Sequence, residues 1–376
     1  MEEDVETGEN IVKIGFDISQ TCESKSGTGF FAEQLIKGLA EIDKVNQYTL
    51  LPHFYDYRPQ NVKAAVKIEQ RNFNNVILKD FSDQTKEIAE LDIIQSNNFR
   101  FPKDTRAKKV VTIYDVCFLE HPEYTTEANR LFCYQGTLDA MLFADKIIAI
   151  SEYTKERLIH FFPFVDESKI EVIYCGNRDT LLTGCKDNVA CIGKYHVSPE
   201  DFFLSVGTIE PRKNYETLLK AYRIYVDGHV EHKKLCIAGG YGWLEEDFDK
   251  KIADLGLEKD VVVTGYVSEE ELANLYRYCF AFIYPTWYEG FGMPVLEAAN
   301  FGKPIIASNV TSIPEVIGKG ALLIDPKDEV QLAQNMRSLE SDESVREKLI
   351  VAAKRQIEKF SWKKSAEDLL KVYSAL

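Results

Sequence analysis

Length, composition and charge describe an ordinary globular chain that is long enough for two domains. Its 376 residues are 45% hydrophobic and 28% charged, which suffices for two separate cores. The net charge of −15 disfavours nucleic-acid binding, because a phosphate backbone needs a basic face. Eight cysteines without C-x-x-C spacing disfavour zinc and thioredoxin-like sites and favour a reducing, cytoplasmic compartment. We find no apolar run of membrane-spanning length and no signal-peptide pattern.

Apolar strand candidates alternate with helical stretches along the chain, and this alternation predicts α/β domains with parallel sheets. The predicted strands lie near 12–16, 49–51, 93–95, 110–113, 147–150, 171–173, 202–206, 235–238, 261–264, 281–284, 305–307 and 321–324. The polar, glycine-dotted stretch 177–199 predicts an interdomain linker with the active-site cleft beside it. We therefore predict domains over 11–185 and 195–358, followed by a helix over 359–376.

A glycine motif precedes the first predicted helix, Phe30–Ala40. The string Gly27–Ala32 matches G-x-G-x-x-G/A, the dinucleotide fingerprint, and would suit an NAD-dependent oxidoreductase. Several residues separate it from the preceding strand, whereas the fingerprint needs a tight turn directly after that strand. The oxidoreductase stays an alternative interpretation of this motif.

A basic pair follows the strand at 202–206. Arg212 and Lys213 lie in the loop 207–214, which leads into a helix starting near Tyr215. An isolated basic pair is more often a solvated surface. At a strand end, however, both cations can reach a diphosphate, whose charge needs neutralising in a low-dielectric cleft.

The loop after the strand at 281–284 combines two glycines with the start of a helix. Gly290 and Gly292 allow the backbone to approach a ligand closely. Pro294 suits the first helical turn, where the N–H groups of Met293, Val295 and Leu296 lack intrahelical partners. These N–H groups, at the positive end of the helix dipole, predict a phosphate site.

Two carboxylates flank this predicted phosphate site. Glu297 can accept hydrogen bonds from a ribose diol, and Glu289 lies nearer the strand end, beside a different part of the ligand. A nucleotide-activated sugar has a diol, a diphosphate and a second sugar in that order. The alternative is a solvated Glu289 with Glu297 complementing the helix dipole. The neighbouring Trp287, Tyr288 and Phe291 are either a pocket wall or core.

The spacing of Glu289 and Glu297 resembles the E-x7-E signature of the GT-B-fold retaining glycosyltransferases of family 4. The flanking segments Ala298–Pro304 and Ser312–Val316 are similar as well. The chain looks most like the bacterial, mannosyltransferase-like branch that builds surface polysaccharides. The resemblance implies two Rossmann-like domains facing each other across a cleft. The domain at 11–185 would lie on the acceptor side and that at 195–358 would bind the donor, with the last helix crossing back to the first domain.

The residues and the resemblance together predict a catalytic set and a donor-binding set. The catalytic set is Glu289, Lys213, Arg212 and Asp115. The donor-binding set is Glu297, Gly290, Phe291, Gly292, Met293, Val295, Thr208, Tyr266, Val267, Gly27, Gly29 and Tyr114.

Three of these assignments depart from the family or stay open. Many relatives have an arginine where this chain has Thr208, which leaves Arg212 as the second cation. Tyr114 replaces the histidine of a His-Asp pair, and a phenol can donate to a sugar hydroxyl without being a cation. Tyr266 lies near the nucleobase or simply packs. His121 is a further cleft candidate, although a structural role is preferred for a lone histidine.

The activity implied by the resemblance is retaining, metal-independent hexosyl transfer in polysaccharide synthesis. A sugar-nucleotide-binding protein without catalysis and a sugar-nucleotide epimerase are alternatives, beside the oxidoreductase. The donor would be GDP-mannose or a UDP-hexose, and the acceptor a hydroxyl of a glycan or lipid-linked oligosaccharide. The nucleoside-diphosphate sugar is a substrate, so no separate cofactor and no nucleic-acid partner is expected. We expect a cytoplasmic protein, with peripheral contact at the inner face of the membrane where a lipid-linked acceptor would lie.

Overall fold

The computed structural model describes residues 11–21, 27–52, 65–75, 86–228, 231–243 and 247–376. The chain divides into two compact units. The first comprises 1–116, 128–176 and 361–376, and the second comprises 117–127 and 177–360. Residues 117–127 therefore group with the second unit, although they lie inside the range 11–185 predicted for the first domain.

The first unit is built on a parallel sheet. Its described strands are β1 Lys13–Asp17, β2 Gln47–Leu51, β3 Phe73–Asn75, β4 Ile93–Ser96, β5 Lys108–Ile113, β6 Lys146–Ala149 and β7 Ile170–Val172, in the order β3-β2-β1-β4-β5-β6-β7. Its described helices are Gly27–Ile42, Glu127–Phe143, Glu152–Phe161 and Trp362–Ser374, with a 3-10 turn at Glu167–Lys169. The centre of the sheet is apolar and buried, with Ile14, Ile94, Val110 and Ile147 at 0% exposure, as expected of a parallel sheet with both faces covered.

The C-terminal helix Trp362–Ser374 belongs to the first unit and packs on helix Gly27–Ile42. The two backbones approach so closely that a Cβ at Gly38 would lie 2.9 Å from the Trp362 carbonyl oxygen. The Trp362 ring also contacts Phe31 edge-on, with ring centroids 5.6 Å apart. The last residues of the chain therefore complete the core of its first unit.

The second unit has the same architecture. Its described strands are β8 Phe202–Val206, β9 Lys234–Ala238, β10 Val261–Val263, β11 Ala281–Tyr284, β12 Ile305–Ser308 and β13 Leu322–Ile324, in the order β10-β9-β8-β11-β12-β13. Its described helices are Cys117–Glu120, Asp179–Gly184, Ala190–Gly193, Tyr215–Asp227, Phe248–Asp254, Glu269–Tyr278, Met293–Asn300, Ile313–Ile317, Glu329–Ser341 and Glu343–Ile357. Two 3-10 turns lie at Pro122–Tyr124 and Pro211–Lys213.

The strand order of each sheet reverses once, between β1 and β4 and between β8 and β11. Open α/β sheets bind ligands outside the carboxyl ends of their strands at such a reversal. In the second unit, β8 leads into the loop 207–214 and β11 into the loop 285–292. Both loops therefore start at neighbouring strand ends, which brings their side chains together.

The predicted strands all occur, with ends shifted by at most two residues. Strand β3 was not predicted, because Phe73-Asn-Asn75 has a single apolar residue. The stretch 177–199, predicted to be a linker without a clear period, contains the helices Asp179–Gly184 and Ala190–Gly193. These helices are too short to show a hydrophobic period in the sequence.

Candidate active site in the second unit

The loops after β8 and β11 are joined by hydrogen bonds. The Trp287 N–H donates to the Arg212 carbonyl at 2.8 Å. The buried Asn214 amide donates to the carbonyls of Pro285 at 2.8 Å and Pro326 at 2.7 Å. Asn214 has a φ of 56°, a left-handed conformation in which asparagine is enriched. These bonds fix the 3-10 turn that carries Arg212 against the loop that carries Glu289.

A buried charge cluster lies where the two loops meet. Lys213 Nζ donates to Glu289 Oε1 at 2.7 Å and to the Tyr284 hydroxyl at 2.8 Å. The Tyr284 hydroxyl donates to the same carboxylate oxygen at 2.8 Å. The other oxygen, Oε2, lies 3.0 Å from Arg212 Nη1. Lys213 and Glu289 are only 8% and 6% exposed, so the interpretation of Glu289 as a solvated loop residue is wrong.

The cluster holds Glu289 in its charged form. Burial by itself raises the pKa of this carboxyl. The charges of Arg212 and Lys213 and the hydrogen bonds from Lys213 and Tyr284 outweigh burial and lower the pKa of Glu289 to about 2. Burial and the adjacent Arg212 charge lower the pKa of Lys213. The site therefore contains an ionised carboxylate against a desolvated amine whose positive charge depends on a nearby anion.

Glu210 is a second carboxylate of the cluster, and sequence analysis did not assign it a role. Arg212 Nε and Nη2 donate to Glu210 Oε1 at 3.0 and 2.6 Å, and the Glu210 side chain is 3% exposed. Glu210 stands two residues before Arg212, in the run Glu210-Pro-Arg-Lys213, and this proximity was the signal available in the sequence. Glu210 and Glu289 together balance the charges of Arg212 and Lys213, so the cluster is close to neutral.

The helix after the second loop begins as predicted, but one of its predicted anion-binding groups has a partner. Helix Met293–Asn300 has Pro294 in its first turn, and Gly292 precedes it with a φ of 96°. A Cβ at Gly292 would lie 2.5 Å from Ile313 Cδ1, the end of a side chain that can shift, so the positive φ is the main reason for glycine there. The Val295 N–H donates to the Gly292 carbonyl at 3.0 Å. The prediction that Val295 offers an unpaired N–H is therefore wrong.

Backbone contacts hold Glu289 from the side of β12. The Glu289 N–H donates to Thr311 Oγ1 at 3.2 Å, and Ser312 Oγ donates to the Glu289 carbonyl at 2.9 Å. Both hydroxyl residues lie between β12 and helix Ile313–Ile317. The Ser312–Val316 segment noted in the sequence thus positions the carboxylate through its backbone.

Glu297 lies in helix Met293–Asn300 within a separate polar cluster. Its Oε2 accepts a hydrogen bond from the Tyr276 hydroxyl at 2.9 Å, and its Oε1 lies 3.5 Å from Arg178 Nη1. Burial raises the pKa of Glu297, whereas Arg178 and the Tyr276 hydrogen bond act in the opposite direction. Neither partner was predicted from the sequence, because Arg178 falls in the predicted linker and Tyr276 occupies an apolar position of its helix.

The aromatic residues around this site divide into core and surface. Tyr288 and Phe291 are 0% and 3% exposed, and the Phe291 ring contacts Phe360 with centroids 5.5 Å apart, so both are core. Tyr266, after β10, is 87% exposed, which contradicts the interpretation that it simply packs. The neighbouring Val267 is half-buried and Thr208 is exposed.

The other predicted donor-binding residues of this loop and helix are at least partly covered. Gly290 is buried, and Met293 at the start of the helix is half-buried. His121 belongs to the same unit, where its ring stacks on Tyr124 and meets Tyr288 edge-on. The contacts of His121 are consistent with the structural role preferred for it.

Gly27 and Gly29 lie in the first unit, inside the first turn of helix Gly27–Ile42 instead of in a loop before it. A Cβ at Gly29 would lie 1.9 Å from the Gln20 carbonyl oxygen, so this glycine permits a close backbone contact. Strand β1 ends at Asp17, well before the helix begins. The tight strand-to-helix turn of a dinucleotide fingerprint is therefore absent from this part of the described chain.

Tyr114 and Asp115 follow β5 in the first unit. Tyr114 is 7% exposed, and its hydroxyl donates to the Asn97 carbonyl at 2.9 Å. This bond uses the single proton of the phenol, so donation to a sugar would require breaking it. Asp115 is half-buried. The roles predicted for these two residues stay predictions.

Three further observations concern the described residues only. They contain no group of three or more His, Cys, Asp or Glu side chains placed to hold a metal ion. The cysteines among them are free thiols, and Cys236 is buried in β9. None of their helices combines the length and the apolar character that a membrane crossing requires.

Comparison with known proteins connects these features to a family. The model of the family described as "Glycosyl transferases group 1" matches residues 194–356, which include both candidate loops. The O-antigen chain mannosyltransferase B of Escherichia coli is 28% identical over 300 residues, which cover 80% of this chain and 76% of that protein. The serotype-specific mannosyltransferase WbdA of Escherichia coli is also 28% identical, over 72% of this chain but only 34% of WbdA.

Solved structures show the same fold at lower identity. Anabaena Alr3699/HepE in complex with UDP-glucose superposes with a TM-score of 0.74 at 18% identity, over 97% of this chain and 100% of that chain. WaaG, a glycosyltransferase involved in lipopolysaccharide biosynthesis, gives 0.69 at 14% identity, over 96% and 99%. The chain is a glycosyltransferase whose residues 194–356 match group 1, with two Rossmann-like α/β units of the GT-B fold class.

Proposed function

We propose that this protein is a retaining hexosyltransferase. It would move a hexose from a nucleoside-diphosphate sugar to a hydroxyl of a glycan or lipid-linked acceptor in polysaccharide synthesis. The observation that carries the proposal is the buried cluster of Lys213, Arg212 and Glu289 at the ends of β8 and β11. Group 1 membership and the mannosyltransferase relatives support the same reaction.

The chemistry follows from the charge that develops during transfer. As the bond between the anomeric carbon and the β-phosphate breaks, negative charge builds on the leaving diphosphate and positive charge on the sugar. Lys213 and Arg212 would stabilise the diphosphate, and fixed donors of this kind act strongly because they need no reorganisation. The ionised Glu289 would face the developing positive charge of the sugar.

Burial and the Arg212 charge lower the pKa of Lys213, so its ammonium form is stabilised most by an anion bound beside it. The amine is desolvated, and in the structure Glu289 is the carboxylate at hydrogen-bonding distance from it. A diphosphate carries about two negative charges and would bind the same ammonium more strongly than a single carboxylate does. Because amino and guanidinium groups supply the positive charge, we propose that transfer does not depend on a metal ion.

The donor is proposed to be GDP-mannose or a UDP-hexose. The two relatives named as mannosyltransferases support mannose as the transferred sugar, and the O-antigen in the name of one supports a glycan acceptor. Glu297 would bind the ribose, and the exposed Tyr266 would lie near the nucleobase. A lipid-linked acceptor would bring the protein to the membrane surface as a peripheral contact.

Turnover with a panel of UDP- and GDP-sugars tests the proposal. We expect one sugar nucleotide to be consumed in the presence of an oligosaccharide acceptor, with the anomeric configuration of the product retained and with no loss of rate in chelator. Lys213→Ala should reduce turnover by about 10²–10³-fold, the usual effect of removing one fixed transition-state donor. Lys220, an exposed lysine paired with Glu216 in the same unit, provides the matched control Lys220→Ala, which should keep normal turnover.

Two outcomes would contradict the proposal. Near-normal turnover by Lys213→Ala would remove the cluster from the mechanism. Stabilisation by a sugar nucleotide with no consumption, across the donor and acceptor panel, would favour a non-catalytic binding protein instead.

A further inference from the structure

The cluster around Glu297 contains a cation whose role the proposed reaction does not assign. Arg178 precedes helix Asp179–Gly184 and reaches two acidic residues. Its Nη1 lies 3.5 Å from Glu297 Oε1, and its Nη2 is hydrogen-bonded to Glu269 Oε1. The Tyr276 hydroxyl donates to the other oxygen of Glu297 at 2.9 Å.

The burial of these groups differs strongly. The Glu297 side chain is 7% exposed and the Arg178 side chain 17%, whereas the Glu269 side chain is 68% exposed. A buried carboxylate needs a countercharge to stay ionised. Tyr276 is a neutral donor, since burial and the Glu297 charge raise its pKa well above the ordinary value. The ion pair with Arg178 is therefore the contact that balances the charge of Glu297.

The Glu297 carboxylate can accept further hydrogen bonds besides those from Arg178 and Tyr276. An ionised carboxylate has about four lone-pair sites, two on each oxygen. Arg178 occupies one site on Oε1 and Tyr276 one site on Oε2. Among the described contacts, one lone-pair site on each Glu297 carboxylate oxygen is left without a donor. Two such sites match the two adjacent hydroxyls of a ribose.

We propose that Arg178 is the positioning residue of the ribose subsite, holding Glu297 as an oriented carboxylate that accepts from the 2′- and 3′-hydroxyls of the nucleotide. The inference rests on the proposed function, because it requires a nucleoside diphosphate in the second unit. Arg178 does not touch the ligand in this arrangement. Its influence passes through the charge and the orientation of Glu297.

The charged and titratable groups that face Glu297 determine how nucleotide affinity depends on pH. Burial raises the pKa of Glu297 and the charge of Glu269 adds to this, whereas Arg178 and the Tyr276 hydrogen bond lower it. A protonated carboxyl accepts fewer hydrogen bonds from a diol, so nucleotide affinity falls as Glu297 takes up a proton. Without Arg178 this loss should begin at a higher pH than in the unaltered protein.

Calorimetric titration with UDP, GDP and their 2′-deoxy counterparts tests this role in the full chain. The unaltered protein should prefer one ribonucleotide over its 2′-deoxy form by about tenfold, the value of one hydrogen bond to a charged group. Arg178→Gln should bring that ratio close to one and move the pH-dependent loss of affinity to higher pH. Arg178→Lys keeps the positive charge but lacks the planar guanidinium with its fixed donors. Its preference for the ribonucleotide should lie between those of the unaltered protein and Arg178→Gln, and its affinity should depend on pH as in the unaltered protein.

Glu269→Gln is the matched control, since it removes a second acidic contact of Arg178 and leaves the pair with Glu297 intact. It should keep the ribonucleotide preference. Thermal unfolding of each variant identifies any that do not fold. If Arg178→Gln is unfolded, the test is the affinity of Arg178→Lys for the ribonucleotide relative to its 2′-deoxy form. A ratio equal to that of the unaltered protein contradicts the positioning role.

The outcomes separate this inference from the proposed function. If the unaltered protein binds a ribonucleotide with the expected preference and a folded Arg178→Gln variant keeps it, only the role of Arg178 is overturned. If the unaltered protein binds neither UDP nor GDP, the proposed function and the ribose subsite are both wrong.

Discussion

Replacing Glu289 by glutamine separates nucleotide binding from transfer. The change keeps the size of the side chain and removes its charge. In the structure Glu289 Oε1 lies 2.7 Å from Lys213 Nζ, and Oε2 lies 3.0 Å from Arg212 Nη1. Glutamine would remove this negative charge from both cations and leave the pair of Arg212 with Glu210 in place.

The expected loss of stability follows from these distances. At an effective dielectric constant of about 20, each contact is worth about 5–6 kcal/mol before desolvation is subtracted. Removing one partner of a buried pair has a net cost of about 3–5 kcal/mol, because the remaining charge stays buried. For a unit of this size, each kcal/mol lowers the melting temperature by about 2–4 °C. We expect the melting temperature of the Glu289→Gln protein to fall by about 10 °C.

The same substitution should strengthen nucleotide binding. In the unaltered protein a diphosphate at Lys213 and Arg212 would lie near the negative charge of Glu289. A like charge about 6 Å away costs about 2.8 kcal/mol at the same effective dielectric constant of about 20, which is about 100-fold in affinity. Glu289→Gln should therefore bind UDP or GDP up to about 100-fold more tightly while turnover falls by about 10²–10³-fold.

Three measurements on one preparation test this: thermal unfolding with and without nucleotide, nucleotide affinity by calorimetry, and initial rates of sugar transfer. The exposed Glu258 provides the control Glu258→Gln, which should change none of the three. Affinity and turnover falling together in Glu289→Gln would refute the reasoning, since Glu289 would then bind the nucleotide directly. Unchanged stability would show that the buried pair does not exist as described.

Three other results are expected. Gly292→Ala should cost about 1–3 kcal/mol in urea unfolding, because a φ of 96° strains a residue with a Cβ and the end of the Ile313 side chain, 2.5 Å from that Cβ, would have to shift. The control is Gly193→Ala, at an exposed helical glycine with no heavy atom within 4 Å of the added Cβ, and it should be neutral or stabilising by about 0.5–1 kcal/mol. An equal loss of stability in the Gly292 and Gly193 variants would argue against backbone strain at Gly292. Tyr266→Ala should raise the KM for the donor about tenfold at unchanged melting temperature if a base stacks on the ring, whereas an unchanged KM excludes that contact. Because the pKa of Glu289 falls from 4.5 to about 2 on folding, its stabilisation is complete above pH 4.5 and lost as the pH falls towards 2. Acid unfolding of Glu289→Gln should lack that component, and identical acid profiles would contradict an ionised Glu289.

Sequence reasoning located the loops of the site because their signals are local. Apolar runs identified β8 and β11, and Gly292 with Pro294 predicted where the next helix begins. The spacing of Glu289 and Glu297 identified the family. Each of these signals is contained in a few consecutive residues, whose backbone preferences act before any tertiary contact forms.

The partners of the charged side chains were not predictable in the same way. Lys213 and Glu289 are 76 residues apart in the chain, and Arg178 and Glu297 are 119 apart. Whether such residues meet depends on the order of strands in the sheet, and an ion pair has no local signature in either segment. Exposure is equally non-local, since Tyr288 and Tyr266 belong to the same residue type and are 0% and 87% exposed.

The amino-acid sequence by itself determined the α/β architecture, the strand-end loops and the family, because hydrophobic periodicity, glycine and proline act over short stretches of chain. The tertiary structure alone decided which charges are paired. Placing β8 beside β11 sets Lys213 and Arg212 against Glu289, and the entry of the chain into the second unit sets Arg178 against Glu297. These pairings depend on burial, which raises the cost of every unbalanced charge and exists only once the sheet has assembled.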